Sequence, residues 1–509
     1  MVHSGHIPVP WSRRTGLSLT PDIPRVPLVD RREKSTYDDA QPRSPGCRLL
    51  TPMPLFTETD PDRGAGTALA AATGAGLSQR LMADALLHHQ AGRLAEAEAA
   101  YLAVLNLAPG HAGTLHNLGV IAGARGQPLA AIDRFDAAIA AAPDYAAAHY
   151  NRAVACHTLG RTREAILGMS RACAIDQGHY DAHRALGFLW LAEGECDRAL
   201  DHFARTYELR RGDDRTGIAD RSLNQATRGK LLHDAAQFSF LSARCREGQR
   251  FAVLARAYQE VAAEIGQGAA ALSPRQLQRL GEDYNRAIHA SEAPACATSA
   301  ISAGFDRSAI LCCFEADDAV FFDDLLTPAA LRRLKKYLLE STIWHDFSHI
   351  GSFVAAYLED GLANPLLLQI ADELRRTFPE ILQPHPLSQA WAFKGLDRAA
   401  AIEAHADDAA VSVNFWVTPD AANLDPGGGG LAVCRVPPPA DWLLSDYDAD
   451  KNEVAAFLGE HDGDTLTVPY RENRAVMFSS RLFHRSDAPR FAPGYENRRI
   501  NVTLLFGHR

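Results

Sequence analysis

Four glycines, Gly92, Gly126, Gly160 and Gly194, recur at intervals of 34 residues. Other positions keep the same phase: Ala97, Ala131, Ala165 and Ala199; Tyr101, Phe135, Met169 and Phe203; Pro109 and Pro143. A period of that length, with small residues where helices touch and proline where the second helix ends, predicts stacked helix pairs. Such a unit can bury its apolar face only against its neighbours. The stretch must therefore build a curved solenoid with a concave surface, not a closed globule.

The pattern resembles the tetratricopeptide repeat, with about four copies over residues 77–211. The resemblance implies a protein or peptide partner held in the groove, because such arrays usually bind protein segments. A scaffold or dimer surface is the plainer alternative. Repeat stability is a sum of local and neighbour terms, so the solenoid is expected to be separable. A chain beginning near residue 305 should then keep any site held further on.

Residues 1–76 are rich in Pro, Gly, Ser, Thr and Arg without periodicity, which predicts a disordered N-terminal segment. Met53 is an alternative start. Residues 212–305 stay helical but lose the repeat phase; they read as capping and connecting helices, with "SEAPACATSAISAG" at 291–304 as a linker. The formal net charge of −10 over 509 residues gives no basic face for nucleic acid. No run of 18 apolar residues predicts a membrane span, and "MVHSGHIPVPWSRRTG" lacks the apolar core of a secretory signal. Nine scattered cysteines without a C-x-x-C pair read as reduced thiols in the cytoplasm.

From residue 306 the texture changes again. "AVFFDDLL" suggests a strand, and "TPAALRRLKKYLLEST" a helix capped by Thr327 with Pro328 in its first turn. "NPLLLQIADELRRTFPEIL" is a second amphipathic helix. Short strand-like runs follow: "SQAWAFKGL", "VSVNFWVTP", "GGLAVCRVP", "TLTVPY", "NRAVMFSS" and "RINVTLLFG". Strands divided by Gly, Pro, Asn and Asp predict a sandwich or jelly roll with helices on one side. "DPGGGG" at 425–430 lacks the Lys-Ser/Thr of a phosphate loop and reads as a turn between core strands.

The chemistry concentrates in "EAHADDAAVSVNFW". If a strand runs through 405–407, His405 and Asp407 share one face. His484 follows 77 residues later, at the end of the "NRAVMFSS" strand and its turn. Two histidines and a carboxylate on one side of a metal, with other positions open, is the donor set of non-haem Fe(II) oxygenases. Beyond it, "RRINVTLLFG" alternates: Arg499, Asn501 and Thr503 on one face, Ile500, Val502 and Leu504 on the other. Arg499 is thus aimed inwards, where its two-pronged guanidinium could pair a carboxylate. Arg498 is the second choice, and Asn414 a candidate cosubstrate or substrate contact. Trp391 and Trp416 read as core. His345 and His349 of "WHDFSH" read as loop residues near a substrate entrance, and His461 as a solvated turn.

The ordered set "HAD" 405–407, "LFHRSD" with His484, and "RRINVTLLFG" resembles the Fe(II)- and 2-oxoglutarate-dependent dioxygenases. The resemblance covers residues 306–509 and is to the prolyl-hydroxylase-like branch, within it to bacterial proteins that join tetratricopeptide repeats to such a domain. It implies a double-stranded β-helix (jelly-roll) core with flanking helices behind an α-solenoid. His405, Asp407 and His484 would hold Fe(II), and Arg499 would anchor 2-oxoglutarate, with ascorbate as accessory reductant. Oxidation of a protein, peptide or small-molecule substrate, commonly by hydroxylation, would release succinate and CO2. An intact carboxylate at Asp407 argues against halogenation, which the related halogenases support by a small residue there. The rival reading is a non-catalytic adaptor with a structural β domain.

Overall fold

The computed structural model describes residues 70–212, 221–266, 268–349, 352–396, 401–439, 442 and 451–508. The predicted disordered segment and the alternative start at Met53 fall outside these residues, except at the segment's end. The first helix begins at Ala70, seven residues before the expected boundary at 77. The described residues belong to one compact unit.

Eight helices form four antiparallel pairs: α1 (Ala70–Gln90) with α2 (Leu94–Leu107), α3 (Ala112–Ala124) with α4 (Pro128–Ala141), α5 (Ala146–Thr158) with α6 (Thr162–Ile175), and α7 (Tyr180–Ala192) with α8 (Cys196–Arg211). This is a tetratricopeptide-type helical solenoid. Gly92, Gly126, Gly160 and Gly194 sit in the turns within each pair at φ of 72°, 71°, 72° and 80°. A Cβ there would meet nothing, so glycine is needed for the left-handed backbone and not for space. Space is the issue at Gly119 and Gly187. A Cβ at either would lie 2.6 Å from the ring of Phe135 or Phe203. Where the facing residue is Tyr101 or Met169 instead, Ala85 and Ala153 hold the equivalent place and are fully buried.

Three helices follow: α9 (Arg228–Ser242), α10 (Gly248–Glu264) and α11 (Pro274–Leu280), with a two-residue ladder between β1 (Gln225–Ala226) and β2 (Ala270–Ala271). The stretch read as a linker is not loose. Its backbone is clamped to the C-terminal region: Ser302 N–H donates to Leu325 O (2.8 Å) and Thr327 N–H to Ala300 O (2.8 Å). The Glu373 carboxylate accepts from the N–H of Ala300 and Ile301 at 2.8 and 2.9 Å. Ala- and Ser-rich composition signals a linker only when no partner carboxylate or strand captures its backbone.

The C-terminal region holds two antiparallel sheets. The larger has the order β3 (Ala319–Phe322), β10 (Ala475–Ser479), β7 (Val411–Trp416), β12 (Ile500–Phe506), β5 (Leu387–Gly395), β4 (Phe353–Tyr357). The smaller has the order β6 (Ile402–His405), β11 (His484–Ser486), β8 (Leu431–Cys434), β9 (Thr465–Val468). β4 and β11 were not read from the sequence, and the strand expected through 405–407 lies at Ile402–His405 instead. α12 (Arg307–Asp317) precedes β3, and α13 (Pro328–Glu340) and α14 (Pro365–Thr377) cover one face of the larger sheet. On that face Val411, Val413, Phe415, Val502 and Leu504 pack with Leu334, Leu338, Leu367 and Ile370. On the opposite face Trp416, Val476 and Phe478 meet Leu431, Val433 and Val468 of the smaller sheet. Period-two alternation separates the two cores.

The structure bears against the expectation of a separable solenoid, because the last helix pair shares its core with the sheet region. Phe188, Leu191, Ala199 and Phe203 of the last helix pair belong to the same apolar core as α13, α14 and the larger sheet. The pair needs a neighbour to cover it, and the sheet region is that neighbour. Polar contacts seal the junction. The buried Arg211 guanidinium donates to both oxygens of Asp360, at 2.9 and 2.7 Å, with Arg210 3.3 Å from the same carboxylate. Tyr207 Oη lies 2.9 Å from His345 Nε2. His345 is therefore a buried junction residue and not part of an entrance.

Burial alone would raise the Asp360 carboxyl, but Arg210 and Arg211 outweigh it and hold it well below the usual carboxylate range. An unfolded aspartate titrates near about 3.9, so the stability this pair contributes is present above about pH 4 and is lost as pH falls below it. Asp360→Ala should cost about 3–5 kcal/mol in denaturant unfolding at neutral pH, because it strands a buried guanidinium. Its unfolding free energy should also fall less steeply than the wild type's below about pH 4. A chain of residues 306–509 alone should be insoluble or molten, which size exclusion and near-ultraviolet circular dichroism would report.

Candidate metal centre

β6 and β11 pair with His405 opposite His484, which brings the two rings to 4.2 Å between centroids. His405 Nδ1 lies 2.9 Å from Glu403 O, and His484 Nδ1 3.3 Å from Leu482 O. Each ring thus has its Nδ1 turned to a backbone carbonyl, which leaves Nε2 as the lone-pair donor. His484 is buried, and burial pushes its imidazole down to about 4, with the neighbouring His405 acting in the same direction and Asp407 opposing. It is neutral near pH 7, the form that ligates a metal.

Asp407 reaches the site by a different route from the one the sequence suggested. β6 ends at His405, so strand alternation does not place the carboxylate. Asp407 lies in the loop that crosses from the smaller sheet to the larger, where its N–H donates to Ser480 O (3.0 Å). Its side chain is 1 % exposed, and Oδ2 accepts from Ser412 Oγ at 2.7 Å. Oδ2 also lies 3.6 Å from His484 Nε2. Oδ1 is buried with no hydrogen-bond partner among the described residues. His484 likewise differs from expectation: it opens β11 in the smaller sheet and does not close the preceding strand.

One ligand atom from each of His405, Asp407 and His484 lies within 4.8 Å of the others, and no other such trio of His, Cys, Asp or Glu occurs among the described residues. Two imidazoles and one carboxylate, whose Oδ1 is buried and unsatisfied, fit a first-row divalent ion. An orphan carboxylate oxygen is costly in a dry site, and a cation would satisfy it.

Arg499 lies just before β12 and its side chain is buried between the sheets. Nε donates to Gly429 O (2.7 Å), Nη2 to Gly430 O (3.3 Å) and Nη1 to Asn501 Oδ1 (3.3 Å). Its Cζ sits 5.7 Å from the Trp416 ring centroid. Among the described residues no carboxylate forms an ion pair with it, and burial lowers the guanidinium to about 10. The glycine run read as a plain turn thus supplies carbonyl acceptors to this arginine. Asn414 Oδ1 accepts from Asn501 Nδ2 (3.2 Å) and Thr503 Oγ1 (2.9 Å), which joins β7 to β12 on the same inner face. Arg498 turns elsewhere, into electrostatic reach of Lys394, Tyr495 and His233.

His349 lies within electrostatic reach of His405, and its ring stacks on Phe353 at 4.2 Å. Phe353 continues onto Phe393 (4.4 Å), and Phe393 onto Trp391 (5.9 Å). Ser412 and Ser480 were missed by sequence reasoning. Alternation along "VSVNFW" puts Ser412 on the inner face with Asn414, and that signal could have found it. Nothing local marks Ser480.

The chain matches no protein-family model and no curated protein. Among solved structures it is similar to MamA residues 41-end from Desulfovibrio magneticus RS-1, with 25% identity over 27% of this chain and 78% of that one, at a TM-score of 0.25. The first tetratricopeptide repeat domain of Spaghetti (RPAP3), bound to the HSP90 peptide SRMEEVD, matches at 18% identity over 23% of this chain and 94% of that one, with a TM-score of 0.23. Pseudomonas aeruginosa pilF matches at 20% identity over 38% and 80%, with a TM-score of 0.26. The repeat assignment itself rests on the four helix pairs and their glycine turns. No helix among the described residues is long and apolar enough to cross a membrane.

A metal that binds only the folded chain stabilises it. Co(II) at ~100 times its dissociation constant should raise the unfolding free energy by about 2.7 kcal/mol. Asp407→Ala and His484→Ala should lose this response in a thermal-shift titration, and Arg499→Ala should keep it.

Proposed function

We propose that the protein is an Fe(II)- and 2-oxoglutarate-dependent dioxygenase whose two facing sheets form a double-stranded β-helix, and whose solenoid engages a protein or peptide. The observation that carries this reading is the convergence of His405, Asp407 and His484 between the sheets that also bury Arg499. Bound Fe(II) supplies the redox chemistry that couples decarboxylation of 2-oxoglutarate to succinate with oxidation of a second substrate. His405 and His484 would hold the ion through their Nε2 atoms, and Asp407 through its carboxylate. Arg499 would pair the far carboxylate of 2-oxoglutarate by two parallel charge-assisted hydrogen bonds. Its burial excludes water that would compete for the anion. Asn414 and Thr503 keep the inner face of β7 and β12 polar where the cosubstrate would lie.

The second reading is an adaptor without turnover. The four-pair solenoid favours it, since such arrays act by binding. Succinate formation from 2-oxoglutarate by purified protein with Fe(II) and ascorbate separates the two readings, with Asp407→Ala as control. Turnover in the wild type and none in the variant supports the oxygenase; identical background in both, also with candidate peptides added, supports the adaptor.

Arg499→Ala should weaken 2-oxoglutarate binding by about 2–5 kcal/mol, as expected when one member of a buried charge pair is removed. Arg499→Lys keeps the charge without the fork and should fall in between. Arg498→Ala should have a much smaller effect. Titration of 2-oxoglutarate into metal-loaded variants measures all three.

A further inference from the structure

We propose that Ser412 and Ser480 are a hydroxyl relay that positions the Asp407 carboxylate for the metal, Ser412 acting on it directly and Ser480 through Ser412. The proposal rests on the metal reading of the His405, Asp407 and His484 trio. Ser412 Oγ donates to Asp407 Oδ2 at 2.7 Å, and the two serine hydroxyls are 2.8 Å apart. Ser412 has one hydroxyl proton, and an ionised carboxylate can only accept. That proton is therefore spent on Asp407, and Ser480 must donate to Ser412. Each donation polarises the next hydroxyl and strengthens its hydrogen bond.

Both serines are fully buried. Ser412 lies between Val411 and Val413 in a strand whose outer face is apolar, so a hydroxyl there is costly unless it is bonded. The backbone repeats the same linkage. Asp407 N–H donates to Ser480 O, and Ser480 N–H to Ala410 O, each at 3.0 Å. Ser480 begins the turn that leads to His484, and Asp407 follows His405. One pair of hydroxyls thus ties together the two segments that carry the three ligands, and it occupies Oδ2 so that Oδ1 is the oxygen left without a partner.

Co(II) titration of the full chain, read by visible absorption and calorimetry, tests this. Ser412→Ala should bind Co(II) about 10–100-fold more weakly, the usual effect of losing an outer-shell partner, and should change the shape of the absorption band. Ser480→Ala should show a smaller loss. The double variant should be no weaker than Ser412→Ala, because Ser480 acts only through Ser412. Ser412→Thr retains a hydroxyl and should recover the wild-type spectrum. If Ser412→Ala fails to fold, Ser480→Ala still reads the relay from its far end. Wild-type affinity and spectrum in Ser412→Ala, or in Ser480→Ala, would overturn the proposal, as would additive losses in the double variant. Absence of Co(II) binding by the wild type would instead overturn the metal reading on which the relay rests.

Discussion

A helix pair of the solenoid cannot cover its own apolar face, and the rest of the molecule is organised by where that requirement ends. Within the array each pair is covered by the next, through the Gly119–Phe135 and Gly187–Phe203 contacts and their alanine counterparts. The last pair has no further repeat to lean on. Phe188, Leu191 and Phe203 are instead completed by the helices and sheet of the C-terminal region. The ion pair of Arg211 with Asp360 sits in this seam, where burial makes its loss costly. Solenoid and sheets therefore share one continuous apolar core across two architectures.

The larger sheet resolves a second conflict. Its outer face must be apolar to seat α13 and α14, while its inner face carries an arginine, asparagines, serines and a neighbouring aspartate. Strand alternation allows both from one run of residues: Val411, Val413 and Phe415 outwards, Ser412, Asn414 and Trp416 inwards. Each inner polar group then needs a partner. Asn414 finds Asn501 and Thr503, Ser412 finds Asp407 and Ser480, and Arg499 finds the carbonyls of Gly429 and Gly430. Among the described residues, the inner-face groups still short of a partner of matching charge or capacity include the Asp407 Oδ1 oxygen, the Trp416 Nε1–H and the Arg499 guanidinium.

The repeat phase, the helix at Thr327 and most strands could be read from local pattern, since each depends on residues within a turn or two of one another. The strands β4 and β11 could not. They are three to five residues long and their partners lie far off in the chain. The linker at 291–304 was misread for a related reason: its backbone is held by Glu373 and by Leu325 and Thr327 in the segment between β3 and α13, and composition carries no trace of that. His345 reads as a loop histidine until Tyr207, 138 residues earlier, is seen beside it.

By itself, then, the sequence determined the solenoid, its number of helix pairs, the alternation of β7 and β12, and the order of His405, Asp407, His484 and Arg499 along the chain. The first three follow from periods of 34, 3.6 and 2, which local sterics enforce, and the order of the four site residues stands in the chain itself. Only the tertiary structure decided that the last helix pair shares its core with the sheet region and that a crossing loop, not a strand, delivers Asp407. It also decided that Ser480 lies 68 residues from its partner Ser412. Those outcomes depend on how two sheets and a helix pair stack, and stacking is set by contacts between segments that no local period connects.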